Sequence, residues 1–218
     1  MCTEIGKYAF IRCYNLTSIT LPNSITSIGD YAFSNCTNLV TVNIPDCVTS
    51  IGEFAFGQCE QLTSIRIPSN IAYIGPNAFS SCSNLSFYAY DSAVYLGNEQ
   101  NNYLYLYKAV SQSIDSIEIH SDTKIIRAGA FSNCQNLTEV TIPEGVIEIQ
   151  GSAFSGCTRL NIIKIPASLV SVGHSSFYNC YSLNVIYYSG NYVQFKNIVV
   201  ADYNTEFLRS TKIYNYVY

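Results

Sequence analysis

Ile28-Gly29-Asp30-Tyr31-Ala32-Phe33-Ser34-Asn35-Cys36-Thr37-Asn38-Leu39-Val40-Thr41-Val42-Asn43-Ile44-Pro45-Asp46-Cys47-Val48-Thr49-Ser50 is one complete period of this chain, and Ile51 begins the next. The following period substitutes in kind, with Ile51, Gly52, Ala55, Phe56, Cys59, Leu62, Ile65, Ile67, Pro68 and Ile71 at matching places. Cys13, Cys36, Cys59 and Cys82 follow one another at 23 residues, and so do Cys134, Cys157 and Cys180. A fixed period of this size means a stack of like turns, in which each turn buries its apolar side chains against its neighbours. From Cys36 onward the apolar positions fall three, three, two and four apart, with neither a helical nor a strand period sustained. That spacing suits a coil that turns several corners per repeat.

Leu39-Val-Thr-Val-Asn-Ile-Pro45 alternates apolar and polar residues and reads as a short strand that Pro45 ends. Stacked copies place such strands in a parallel sheet, roughly 4.8 Å apart. Gly29, Gly52, Gly75 and Gly173 recur just after an isoleucine or valine, which predicts a tight turn or a close backbone approach. The Ala-Phe-x-x-Cys phrase predicts a single helical or 3₁₀ turn on the opposite face. Phe10, Phe33, Phe56, Phe79, Phe131, Phe154 and Phe177 form one predicted interior column.

From Cys82 to Cys134 is 52 residues, two repeats and six residues more. Gly97-Asn-Glu-Gln-Asn-Asn102 is the expected insertion. It is flanked by Ala93–Leu96 and Tyr103–Tyr107, two aromatic runs that read as a β-hairpin projecting from the stack or packing along it. The array thus runs over residues 1–96, a hairpin tip over 97–102, further repeats over 103–188 and a C-terminal cap over 189–218, all one domain. Within the cap, a short helix near Asn191–Val199 and a final strand over Thr211–Tyr218 are expected. His120 stands where other copies carry proline.

The chain has 218 residues, a net charge of −4 and only 12% charged residues. With no basic stripe, nucleic-acid binding is not expected. No apolar run approaches the roughly 20 residues of a membrane-spanning helix. The nine cysteines contain no Cys-x-x-Cys pair of the kind zinc sites use. Seven occupy one repeat position beside phenylalanine, as a buried thiol column would, while Cys2 and Cys47 fall off-register near loops. No metal or other cofactor is expected. His120 and His174 are the only histidines, and no Gly-x-Ser-x-Gly, phosphate loop or His-Glu-x-x-His occurs, so no enzyme activity is expected. Asn15, Asn35, Asn84 and Asn136 head glycosylation sequons that read as by-products of the repeat.

The combination Ile-Gly-x-x-Ala-Phe-x-x-Cys-x-x-Leu-x-x-Ile-x-Ile-Pro-x-x-Val closely resembles the BspA-like leucine-rich repeat family, the Treponema pallidum type. The resemblance covers essentially the whole chain. It implies a repeat solenoid, α/β leaning to β: a curved right-handed coil with its parallel sheet on the concave side and short turns on the convex side. It also implies a surface or secreted protein of a host-associated bacterium or a protist, with adhesion to a protein partner such as a host extracellular protein.

Binding is expected at the two outward positions of each strand: Ser18 and Thr20, Thr41 and Asn43, Ser64 and Arg66, Phe87 and Ala89, Ser116 and Glu118, Glu139 and Thr141, Ile162 and Lys164, Val185 and Tyr187. Arg66, Phe87, Glu118, Glu139, Ile162, Lys164 and Tyr187 are the candidate contacts on this face, joined by Tyr95, Tyr103 and Tyr105 of the hairpin. Glycan binding through the tyrosines, or a spacer role displaying another domain, are the alternatives. Charge reversal at Arg66, Glu139 and Lys164 is expected to weaken protein binding, whereas glycan binding is expected to follow tyrosine substitutions near the hairpin. The N-terminus enters mid-repeat at Ile5-Gly6, which predicts a fragment of a longer protein or end-to-end self-association.

Overall fold

A computed structural model describes residues 2–217. The chain forms two compact units, one of residues 1–88 and 96–102, the other of residues 89–95 and 103–218. The boundary falls at the insertion that the cysteine spacing locates.

The first unit carries β1 (Glu4–Ile5), β2 (Ser18–Thr20), β3 (Ser27–Ile28), β4 (Thr41–Asn43), β5 (Ser50–Ile51) and β6 (Tyr73–Ile74). β2 and β4 pair in parallel with Ser18 opposite Thr41 and Thr20 opposite Asn43, the 23-residue register. A second parallel ladder, β1-β3-β5-β6, runs through the Ser-Ile position before each glycine. Its tight approach explains the glycines. A Cβ built on Gly75 would lie 2.3 Å from the Glu53 backbone nitrogen, and one on Gly52 would lie 2.4 Å from that of Asp30. Close approach, rather than a left-handed turn, is therefore the reason for these two glycines.

The Ala-Phe-x-x-Cys segments are not helical. They are runs of successive turns, with i to i−3 bonds such as Ser34 N to Tyr31 O at 3.1 Å and Cys36 N to Phe33 O at 3.2 Å. Two residues per run adopt left-handed backbone, as Tyr31 (φ 56°) and Asn35 (φ 61°) do, and Phe54 and Gln58 repeat this one period on. The intervening N–H groups point to the next coil: Tyr31, Phe33 and Asn35 donate to the carbonyls of Glu53, Ala55 and Gly57. A helical turn would aim these donors along its own axis, and the coil-to-coil ladder would be lost.

The hairpin tip does not stand free. Asn98, almost fully buried, donates through Nδ2 to the Ile67 carbonyl at 2.6 Å, and Ile67 N donates to the Gly97 carbonyl at 2.8 Å. The tip thus takes the ladder bonds of Ile67, and Ser64–Arg66 forms no regular strand.

The second unit carries β7 (Tyr88–Tyr90) and β8 (Ala93–Leu96) apart from their end residues Tyr88 and Leu96, then β9 (Tyr105–Ala109), β10 (Ile125–Ile126), β11 (Glu139–Thr141), β12 (Glu148–Ile149), β13 (Ile162–Ile165), β14 (Ser171–Val172) and β15 (Val185–Tyr188). Its cap follows as α1 (Tyr192–Lys196), β16 (Val199–Val200), α2 (Thr205–Arg209) and β17 (Thr211–Ile213). One sheet runs β11-β13-β15-β17 and the other β16-β14-β12-β10-β9-β8-β7. The expected strand over Ser116–Glu118 is reduced to a single bridge from Glu118 to Thr141.

The cap helix is placed as expected, although α1 is only five residues long. Asn191 caps it by accepting from Gln194 N, while Gln194 Oε1 accepts from Asn191 N, a closed capping box. The second helix and β16 are not anticipated from the repeat, and β17 ends at Ile213, short of the expected strand, whose last residue Tyr218 lies outside the described residues.

Within each unit the phenylalanines stack. Phe10–Phe33, Phe33–Phe56 and Phe56–Phe79 have centroids 5.0, 5.2 and 5.8 Å apart. Phe131–Phe154 and Phe154–Phe177 are 5.0 and 5.3 Å apart, and Phe207 of α2 adds the closing ring 4.9 Å from Phe177. The thiols form the expected column beside them. Cys36, Cys59, Cys82, Cys134, Cys157 and Cys180 are buried and reduced. Five donate to a phenylalanine carbonyl of the preceding coil at 3.0–3.2 Å. Burial pushes the thiols up, Cys36 and Cys134 to about 11 and Cys180 to about 12.

Candidate interaction surface

On β11, β13 and β15 burial alternates, and each face follows the period: Val140, Ile163 and Ile186 are buried, and Glu139, Ile162 and Val185 face outward. The pairing sets Glu139 beside Ile162 and Ile162 beside Val185 in one row. Thr141, Lys164, Tyr187 and Ile213 form the second row. Lys164 Nζ lies 2.6 Å from Glu139 Oε1, across the two rows. That carboxylate, accepting a hydrogen bond from the ammonium, holds Lys164 above its ordinary value. Tyr187 packs against Tyr216 with centroids 4.9 Å apart, and Lys164 Nζ lies 5.7 Å from the Tyr216 ring. The result is an apolar strip of Ile162, Val185, Tyr187 and Ile213 with a paired cation at one side.

The other candidate residues do not join this patch. Arg66 and Phe87 belong to the first unit, where Arg66 Nη1 pairs with Asp46 at 2.5 Å and Phe87 is half-buried. Tyr95 and Tyr105 are corrections: both side chains are fully buried, so neither is available to a partner. They lie on strands buried on both faces, with Leu96 beside Tyr95 and Leu106 beside Tyr105 also in the core, and the Tyr105 hydroxyl donates to Gln150 Oε1 at 3.3 Å. Tyr103 is half-buried and stacks on His120, while Glu118 is exposed and lines a separate pocket of the second unit.

That pocket, of about 420 Å³, is lined by Tyr90, Ile117, Glu118, Ile119, His120, Ser121, Thr141 and Pro143. The Tyr90 hydroxyl donates to Glu118 Oε1 at 2.7 Å, and Glu118 N donates to Asp91 Oδ2 at 2.9 Å. The Glu118 carboxylate holds the Tyr90 phenol above its usual value. His120 stacks on Tyr103 with centroids 3.9 Å apart and meets Tyr90 edge-on at 4.8 Å.

Ile213 and Tyr216 fall within the expected final strand, but the 23-residue ruler does not place them on this face, because β17 is offset from β15 by 26 residues. Tyr90 lies in the tyrosine-rich stretch from Tyr88 to Tyr107, and His120 is the departure from proline. Their approach to one another depends on folding.

The sequence matches the BspA type leucine rich repeat region in six copies over residues 3–99 and 102–217. Similar solved structures include a leucine-rich cell surface protein of Faecalibacterium prausnitzii, 29% identical, spanning 90% of this chain and 72% of that one, with a TM-score of 0.42. The leucine-rich repeat protein of T. pallidum is 26% identical over 97% of this chain and 78% of its own, with a TM-score of 0.48. A leucine-rich repeat protein from Bacteroides ovatus is 27% identical over 85% of this chain and 58% of its own, with a TM-score of 0.38. None of the curated proteins matches the chain. With its repeat matched along nearly its whole length, the chain belongs to the BspA-type leucine-rich repeat family.

Proposed function

We propose that this chain is a non-catalytic protein-binding module of a surface-exposed or secreted protein. In this reading its contact face is the outward side of β11-β13-β15-β17. The observation that carries it is the strip of Ile162, Val185, Tyr187 and Ile213, aligned by strand pairing and outside the core. Apolar side chains gathered in one patch on a solvent face favour a covering partner. The Glu139–Lys164 pair beside them supplies polar rim contacts that orient such a partner.

The test is surface plasmon resonance against a panel of purified extracellular-matrix and epithelial surface proteins. The wild-type chain is compared with an Ile162→Asp/Lys164→Glu variant that retains the wild-type circular dichroism spectrum. Loss of binding to a matrix protein in the variant supports the reading. Equal binding by both proteins, or no binding to any panel member, rejects it.

A further inference from the structure

The pocket built by Tyr90, Glu118 and His120 lies outside the apolar strip and has a chemistry of its own. Its volume of about 420 Å³ falls within the roughly 300–1,000 Å³ of small-molecule sites. It arises where the chain departs from its own repeat. Pro45, Pro68, Pro143 and Pro166 occupy the place after the strand in other coils, and His120 occupies it here.

The polar groups are pre-oriented. Glu118 is held through Oε1 by the Tyr90 hydroxyl, and among the described residues Oε2 carries no partner. His120 Nδ1 accepts from Asp122 N at 3.2 Å. In the neutral ring the proton therefore sits on Nε2, which has no partner among the described residues. Stacking on Tyr103 fixes the ring plane. Ser121 and Thr141 add hydroxyls, and Ile117 and Pro143 supply apolar wall.

We propose that this pocket is a saccharide subsite that takes a neutral pyranose. A carboxylate acceptor, an imidazole N–H donor and two hydroxyls match a ligand whose hydroxyls both donate and accept. The apolar wall suits the C–H face of a sugar ring. A carboxylate or phosphate ligand would be repelled by Glu118 and Asp91, and a cation, which those carboxylates would attract, is the competing ligand that a charged probe must exclude. Fixed groups lose little freedom on binding, which favours recognition of a small ligand.

Saturation-transfer NMR on the full chain tests this with glucose, galactose, mannose, fucose and N-acetylglucosamine at millimolar concentration, with choline and acetate as charged probes. Saturation transfer to the ring protons of at least one sugar is expected. Affinity should fall about tenfold or more, about 1.4 kcal/mol, in Glu118→Gln, which keeps the side-chain shape. His120→Gln serves as a second variant, read at unchanged thermal unfolding. No transfer to any sugar, transfer undiminished in both variants, or transfer to choline or acetate alone would each overturn the proposal. Matrix-protein binding at the β11-β13-β15-β17 face is measured separately, so the two readings fail independently.

Discussion

Cys157 Sγ donates to the carbonyl oxygen of Phe131 at 3.1 Å, reaching back 26 residues to the preceding coil. Cys36, Cys59, Cys82 and Cys180 repeat the contact with Phe10, Phe33, Phe56 and Phe154. Each thiol is thus a small apolar filler that also satisfies a backbone acceptor in the core. The column joins adjacent coils through polar bonds as well as through packing.

This arrangement makes alkaline pH destabilising. In the unfolded chain the thiols titrate near 9.0, whereas burial raises Cys36 and Cys134 to about 11 and Cys180 to about 12. The folded state then binds more protons than the unfolded state above pH 9. The contribution of the thiols is full below that value and is lost as pH climbs through the folded values. Urea unfolding at pH 7 to 10.5 should show stability falling above pH 9. The fall should be shallower in Cys180→Ala by at most about 1.4 kcal/mol per pH unit, one proton's worth. Parallel slopes for the two proteins would count against a protonated, buried Cys180.

Phe56 is fully buried between Phe33 and Phe79, while Asn43 lies exposed on β4. Truncation of Phe56 to alanine should cost about 3–5 kcal/mol, the range for a buried phenylalanine. Asn43→Ala should stay within about 0.5 kcal/mol. Denaturant midpoints of the two variants check the difference, and matching midpoints would contradict the stacked core.

Gly75 and Gly6 occupy neighbouring roles in the repeat but differ in what surrounds them. A Cβ on Gly75 meets backbone at 2.3 Å, and one on Gly6 meets nothing within 4 Å. Gly75→Ala should therefore lower stability by about 1–3 kcal/mol or more, as overpacking does. Gly6→Ala should leave the melting temperature nearly unchanged. A thermal melt in which both behave alike would show that coil-to-coil approach is not what Gly75 serves.

Much of the fold is legible from the residues. The 23-residue ruler sets Ser18 beside Thr41 and Ile162 beside Val185, as the strand pairing has them. It works because every coil buries the same positions, so one-dimensional spacing and three-dimensional stacking coincide. The reading fails where they part. Tyr95 and Tyr105 sit in a tyrosine-rich segment that resembles a surface patch, yet their strands are covered on both faces and both side chains are buried. The Ala-Phe-x-x-Cys phrase predicts a single helical or 3₁₀ turn, but alternate N–H groups, those of Tyr31, Phe33 and Asn35, bond to the next coil instead of along the segment.

By itself the sequence determined the coil length, the identity of the core columns, the place of the insertion and the outward row of Glu139, Ile162 and Val185. All of these follow from periodic burial, which one repeat imposes on the next. Only the tertiary structure decided that Asn98 docks on Ile67, that Phe207 closes the phenylalanine stack, and that Tyr90, Glu118 and His120 share one pocket. Those contacts join segments that break the period. Their partners depend on how the chain folds back, and no spacing rule encodes that.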